Sequence, residues 1–148
     1  MRYHREVSLR IVVDTDVFIA AILSPGGENR EVLRACLLGK ARPLMGVALF
    51  HEYEDVLSRT ELMAKSPIAT SEQKALLGAF LSVAEWVKVY FLWRPNLPDE
   101  ADNHLIELAL AGSAEIIVTN NLADLRNGEL RFPGLKILSP NQFLTALP

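Results

Sequence analysis

The sequence predicts an α/β fold, a three-layer α/β/α domain with a central, mostly parallel sheet of Rossmann-like character. Two observations predict it. Short runs rich in β-branched residues, such as Ile11-Val12-Val13 and Glu115 to Thr119, alternate with segments of helical apolar spacing, and strands alternating with helices favour a parallel sheet. The run Ile11-Val12-Val13 also ends on Asp14 and passes at once into Thr15-Asp16 and the apolar run Val17 to Leu23. That order places a carboxylate at the carboxyl end of a parallel strand, where open α/β sheets gather ligands, and where a charge faces the crevice and not the core.

Taken in order, the first strand spans about Leu9 to Asp14, and the helix after it is cut short by Ser24-Pro25-Gly26-Gly27. A second helix runs from Glu28 to Leu38 and stops at Gly39; Arg42 to Gly46 is a brief second strand, and Val47 to Arg59 is helical. Ser66-Pro67 breaks the chain, after which Thr70 or Ser71 caps a helix reaching Ala84. A helical hairpin thus separates strands two and three. Trp86 to Leu92 alternates and carries β-branched and aromatic residues, as a strand does. Asp99 to Gly112 reads as a helix, Glu115 to Thr119 as a buried strand, Leu135 to Leu138 as a last strand and Pro140 to Leu147 as a terminal helix.

The 148 residues suggest one domain, spanning 1–148, with enough chain for a sizeable core. Half the residues are hydrophobic and 22% charged, no apolar run can span a membrane, and residues 1–10 hold no signal-peptide core. A cytoplasmic protein is therefore expected. Cys36, the single cysteine, lies among Val32, Leu33 and Leu37 and reads as a core residue, which leaves no internal disulfide and no Cys-based zinc site. A net charge of −3 speaks against sequence-blind nucleic-acid binding through a broad basic face, yet allows a small site where acids converge on a cation.

The acids divide by position. Asp14 points into the crevice as a metal or catalytic group, whereas Asp16 is read first as a helix cap. On the helix 47–59 the apolar stripe is Leu49, Tyr53, Val56 and Leu57; Glu52 and Glu54 flank it on opposite sides, and periodicity does not choose between them. Asp55 and Glu54 suit a solvated face. Asp99 is a natural N-cap, while Asp102 shares a face with Ile106 and Ala109 and needs a partner, which a metal supplies. Thr119, Asn120, Asn121 and Asp124 load a second strand end with polar groups. Together Asp14, Glu52, Asp102 and Asn121 or Asp124 form an oxygen-rich set that selects Mg²⁺ or Mn²⁺ over zinc. His4, His51 and His104 show no metal-ligand spacing and are read as surface residues. The matching chemistry is phosphodiester hydrolysis by metal-activated water, and no Ser/His/Asp or Cys/His set competes with it.

At this point the chain resembles the PIN domain (PilT N-terminus) family of metal-dependent ribonucleases. Ile11 to Ala21 is similar to the family's opening segment, although Asp16 stands where Asn is commoner. Phe50 to Arg59 resembles the segment of the second acid and picks Glu52; Leu97 to Ala111 resembles the third and picks Asp102; Ile116 to Leu125 resembles the last, with Asn121 where the family often has Asp. Asp124 is the candidate to replace that charge. The resemblance implies a PIN-like fold, Mg²⁺ or Mn²⁺ at Asp14, Glu52, Asp102 and Asn121, catalytic roles for Asp14, Glu52, Asp102 and Asp124, and support from Thr119 and Asp16. It further implies an RNA substrate, a homodimer, and a toxin of the VapC-like subgroup restrained by a small antitoxin.

Two alternatives stand beside it. One is a PIN-fold binding module, weak or inactive because of Asn121. The other is a haloacid-dehalogenase-type phosphatase with Asp14 as nucleophile, against which stands the lack of a suitable Lys and of a later acidic pair after Thr119. Arg30, Arg34, Arg59, Lys65, Arg94 and Arg126 are candidates for phosphate contacts, and residues 60–84 are the candidate arm for a dimer mate or antitoxin.

Overall fold

A computed structural model describes residues 9–89 and 103–148. Its elements are β1 (Leu9–Val13), α1 (Thr15–Leu23), α2 (Glu28–Leu37), β2 (Ala41–Met45), α3 (Val47–Leu57), α4 (Thr60–Met63), α5 (Thr70–Val83), β3 (Glu85–Trp86), α6 (Asn103–Ala111), β4 (Ile116–Val118), α7 (Leu122–Arg131), β5 (Lys136–Leu138) and α8 (Pro140–Ala146). The five strands form one sheet in the order β3-β2-β1-β4-β5, and every pairing is parallel. The predicted α/β architecture is thus observed.

Strand order reverses between β1 and β4, where Val13 pairs with Val118. Such a reversal opens a crevice at the carboxyl ends of the two strands. β1 and β4 are buried apolar runs, as befits strands covered on both faces. Helix α6 packs on β1, β2 and β4, while α2 and α5 reach β2. Phe18 of α1, Tyr53 of α3 and Phe80 of α5 are fully buried and meet one another at centroid distances of 5.1, 5.9 and 6.1 Å. Cys36 is buried, as its apolar neighbours suggested. Where α6 ends, a Cβ on Gly112 would lie 2.5 Å from Leu44 Cδ1 and 3.1 Å from Val87 Cγ2, so no side chain fits without displacement.

Several boundaries differ from the reading of the sequence. Helix α7 is absent from that reading, because Asn120-Asn121 looked like a turn and the helix has a weak apolar stripe, with only Leu125 and Gly128 buried. The 47–59 helix ends at Leu57, and α4 stands apart from it. Helix α5 is capped at Ala69, whose N–H donates to Glu72 Oε1 at 3.3 Å, so neither Thr70 nor Ser71 is the cap. Strand β3 stops at Trp86; Val87 to Val89 are not strand, and residues 90–92 of the predicted strand lie outside the described residues. No helix among the described residues is long and apolar enough to cross a membrane.

Candidate functional site

The backbone delivers Asp14 to the crevice. Its N–H donates to Val118 O at 3.0 Å, extending the β1–β4 ladder by one residue beyond Val13. The Tyr53 hydroxyl donates to Val13 O at 2.8 Å and fixes the strand end from behind. Asp14 occupies the N-cap position of α1 without capping it. Its carboxylate instead accepts from Thr119 Oγ1 at 2.8 Å and lies 3.3 Å from Thr15 Oγ1. The residue is only 8% exposed. The sequence placed it open to the crevice; it is instead buried, because Thr119, just beyond β4, bonds to it.

Asp16 does not cap α1 either. It lies in the first turn of the helix, and its two oxygens each accept from the Asn120 N–H at 3.2 Å, with Thr119 Oγ1 at 3.4 Å. The cap reading failed because α1 begins one residue earlier, at Thr15. Asp16 therefore joins Asp14 across the strand gap.

Glu52 arrives from α3. Thr15 Oγ1 donates to its Oε1 at 2.6 Å, and His104 Nε2 lies 3.3 Å from its Oε2. Of the two glutamates that flank the apolar stripe, Glu52 is the one that lies beside Thr15 and Asp14. Glu54 faces His51 at 3.7 Å, and Asp55 pairs with Arg59 at 2.7 Å, both on the solvated face. His104 was read as a surface residue, but its side chain is only 19% exposed and it touches Glu52.

At the rim, the Asn121 N–H donates to Thr119 Oγ1 at 2.9 Å, while its side-chain Nδ2 donates to Asp124 Oδ2 at 2.8 Å. Asn121 and Asp124 are thus bonded to each other at the mouth. Asp102 and Asp99, the other acids singled out in the sequence, lie outside the described residues, as do His4 and Arg94. Of the basic candidates, Arg59 is spent on Asp55, whereas Arg30 buries one guanidinium nitrogen that has no hydrogen-bond partner among the described residues.

Two threonine hydroxyls link three carboxylates, and each hydroxyl has one proton to give. Thr15 bridges Asp14 and Glu52; Thr119 bridges Asp14 and Asp16. Beyond these hydroxyls, Asp16 accepts from the Asn120 N–H and Glu52 lies against His104 Nε2. Burial pushes the Asp14 carboxyl above its ordinary range, and the nearby Glu52 charge adds to this. Burial and the charge of Asp14 lift Asp16 to about 6. Glu52 moves the other way, held down mainly by its hydrogen bond from His104 and also by that from Thr15.

Such a donor set, all hard oxygen and short of positive charge, fits a hard divalent cation by its chemistry. Among the described residues, however, no three His, Cys, Asp or Glu side chains are grouped to hold a metal ion.

An acidic crevice at the switch point of a parallel α/β sheet marks the class of α/β domains whose ligands meet the strand ends. Within that class the chain belongs to the PIN domain family, whose profile matches residues 10–123. The fold is similar to a chain in the crystal structure of VapBC2 from Rickettsia felis bound to a DNA fragment from their promoter, with a TM-score of 0.58 and 16% sequence identity over 88% of this chain and 98% of that one. No curated protein matches the chain by sequence.

Proposed function

We propose that this protein is a Mg²⁺- or Mn²⁺-dependent ribonuclease and the toxin member of a toxin–antitoxin pair, acting in the cytoplasm. The observation that carries the reading is the linkage of Asp14, Asp16 and Glu52 through the hydroxyls of Thr15 and Thr119, which gathers three carboxylates at one strand end. Membership of the PIN domain family and the likeness to VapBC2 support it. A small antitoxin and a second copy of the chain are the proposed protein partners, with residues 60–84 as their docking arm.

Asp14 and Glu52, joined by Asp102 and Asn121, would hold the cation, which when bound supplies charge to the scissile phosphate and acidity to water. Thr15 keeps Glu52 beside Asp14, and Thr119 orients the Asp14 carboxylate. His104 holds Glu52 in its charged form. Asp16, whose carboxylate accepts from the Asn120 N–H, would support Asp14 from the β4 side. Asp124, at the mouth, adds negative charge where Asn121 brings none.

The test pairs cleavage with binding. Wild-type protein is expected to cut single-stranded RNA with Mn²⁺ and to bind Mn²⁺ by calorimetry, while folded Asp14→Asn does neither. Undiminished cleavage by a clean preparation of Asp14→Asn, or cleavage in excess chelator, would overturn the proposal.

A further inference from the structure

Beside the acid site lies a second cavity, of about 800 Å³, lined by Gly46 to Leu49, Trp86 to Val89 and the α6 residues His104, Glu107 and Leu108. Its volume is that of a small-molecule site. It opens at the carboxyl ends of β2 and β3, and His104 forms the shared wall, since the same imidazole touches Glu52.

The cavity walls are largely apolar, but its lining includes a carboxylate. Glu107 is 7% exposed, and its Oε2 is buried with no hydrogen-bond partner among the described residues. A buried acceptor without a donor is costly, so this oxygen is suited to a guest that brings N–H groups. Trp86 is 52% exposed, held edge-on by Phe50 at 5.5 Å, and offers a flat ring at the same cavity. An aromatic face with a polar edge reader is how proteins hold unstacked bases. Lys88 and His51 also line the cavity; the Lys88 ammonium disfavours a cationic guest and suits a phosphate.

We infer that this cavity binds one unpaired guanine base of the nucleic-acid substrate, stacked on Trp86 with its N1–H and N2–H edge on the Glu107 carboxylate. Guanine is the base whose pairing edge presents two adjacent donors, the match for a carboxylate acceptor. The inference rests on the proposed ribonuclease reading and adds the base that sits next to the scissile phosphate, making Glu107 a specificity-determining residue.

The experiment measures binding of guanosine, inosine, adenosine and cytidine 5′-monophosphates to the full chain in excess chelator, by NMR titration, so that neither cleavage nor a metal contributes. The guanosine nucleotide is expected to bind roughly tenfold tighter than the inosine nucleotide, which lacks the 2-amino group. Glu107→Gln should remove that preference, and Trp86→Ala, at an exposed position, should weaken all four nucleotides. Equal binding of all four, a preference that survives Glu107→Gln, or displacement of the nucleotide by arginine amide as a peptide-like cation would each overturn the inference. Should Glu107→Gln not fold, unchanged affinity in Trp86→Ala would do so. Manganese-dependent RNA cleavage without guanosine nucleotide binding sinks this inference alone; selective binding without cleavage sinks the ribonuclease reading alone.

Discussion

Replacing Asp16 by Asn should make the protein more stable at alkaline pH. The side chain keeps its size and one acceptor for the Asn120 N–H, but loses the charge that crowds Asp14. A carboxyl lifted from its ordinary 3.8 to about 6 binds a proton more tightly in the folded state than in the unfolded one. Stability therefore falls as pH rises between those two values, and the full penalty is present above the higher one. The lift corresponds to about 3 kcal/mol at pH 8. Asp16 is partly open to water, which screens the charge and brings the expected gain down to about 1–2 kcal/mol. For a chain of this length that is a rise in Tm of about 2–8 °C. Urea denaturation of wild type and Asp16→Asn in chelator, at pH 8 and pH 5, measures it. The gap should be largest at pH 8 and shrink on acidification. A variant less stable than wild type at pH 8, or a gap that widens toward acid, would refute the reasoning.

Three further outcomes are expected. Tyr53→Phe removes the donor to Val13 O and should cost about 1–2 kcal/mol in urea denaturation. Thr119→Val, near-isosteric, leaves the Asp14 carboxylate and the Asn121 N–H each without this hydroxyl; it should cost about 1–3 kcal/mol and raise the Asp14 carboxyl further, read by carboxyl-selective NMR titration. Gly112→Ala forces a Cβ against Leu44 and Val87 and should destabilise by about 1–3 kcal/mol by thermal unfolding, with no change in Mn²⁺ binding, because the glycine follows α6 and its carbonyl accepts from Arg10 near the start of β1, whereas the acids lie past that strand's end.

The parts of the site set by local pattern were readable from the chain. Asp14 follows directly from an apolar run that stops at a carboxylate, and the alternation of strands with helices gave the parallel sheet. Glu52 was one of two choices, because helical periodicity assigns two flanks of a stripe equally and only the tertiary partner, Thr15, breaks the tie. Asp16 was misread because Asp at a helix start has a local explanation, while its actual partners, Thr119 and Asn120, lie more than a hundred residues away, just beyond β4. His104 was missed for the same reason: nothing near it in sequence announces Glu52. Helix α7 was hidden by turn-forming asparagines and a thin apolar face, its place being set by packing against β5.

The central position of β1 has a consequence for how the molecule is made. Its ladder to β2 closes over about thirty residues, but the other edge waits for β4, with a separation of 105 residues between Thr119 and Asp14. Long-range parallel pairing of this kind forms slowly. Any fragment ending before Ile116 leaves Ile11, Val12 and Val13 as an unpaired apolar edge, the kind of edge that recruits strands from other chains. Fragments cut before β4 should therefore accumulate as aggregates.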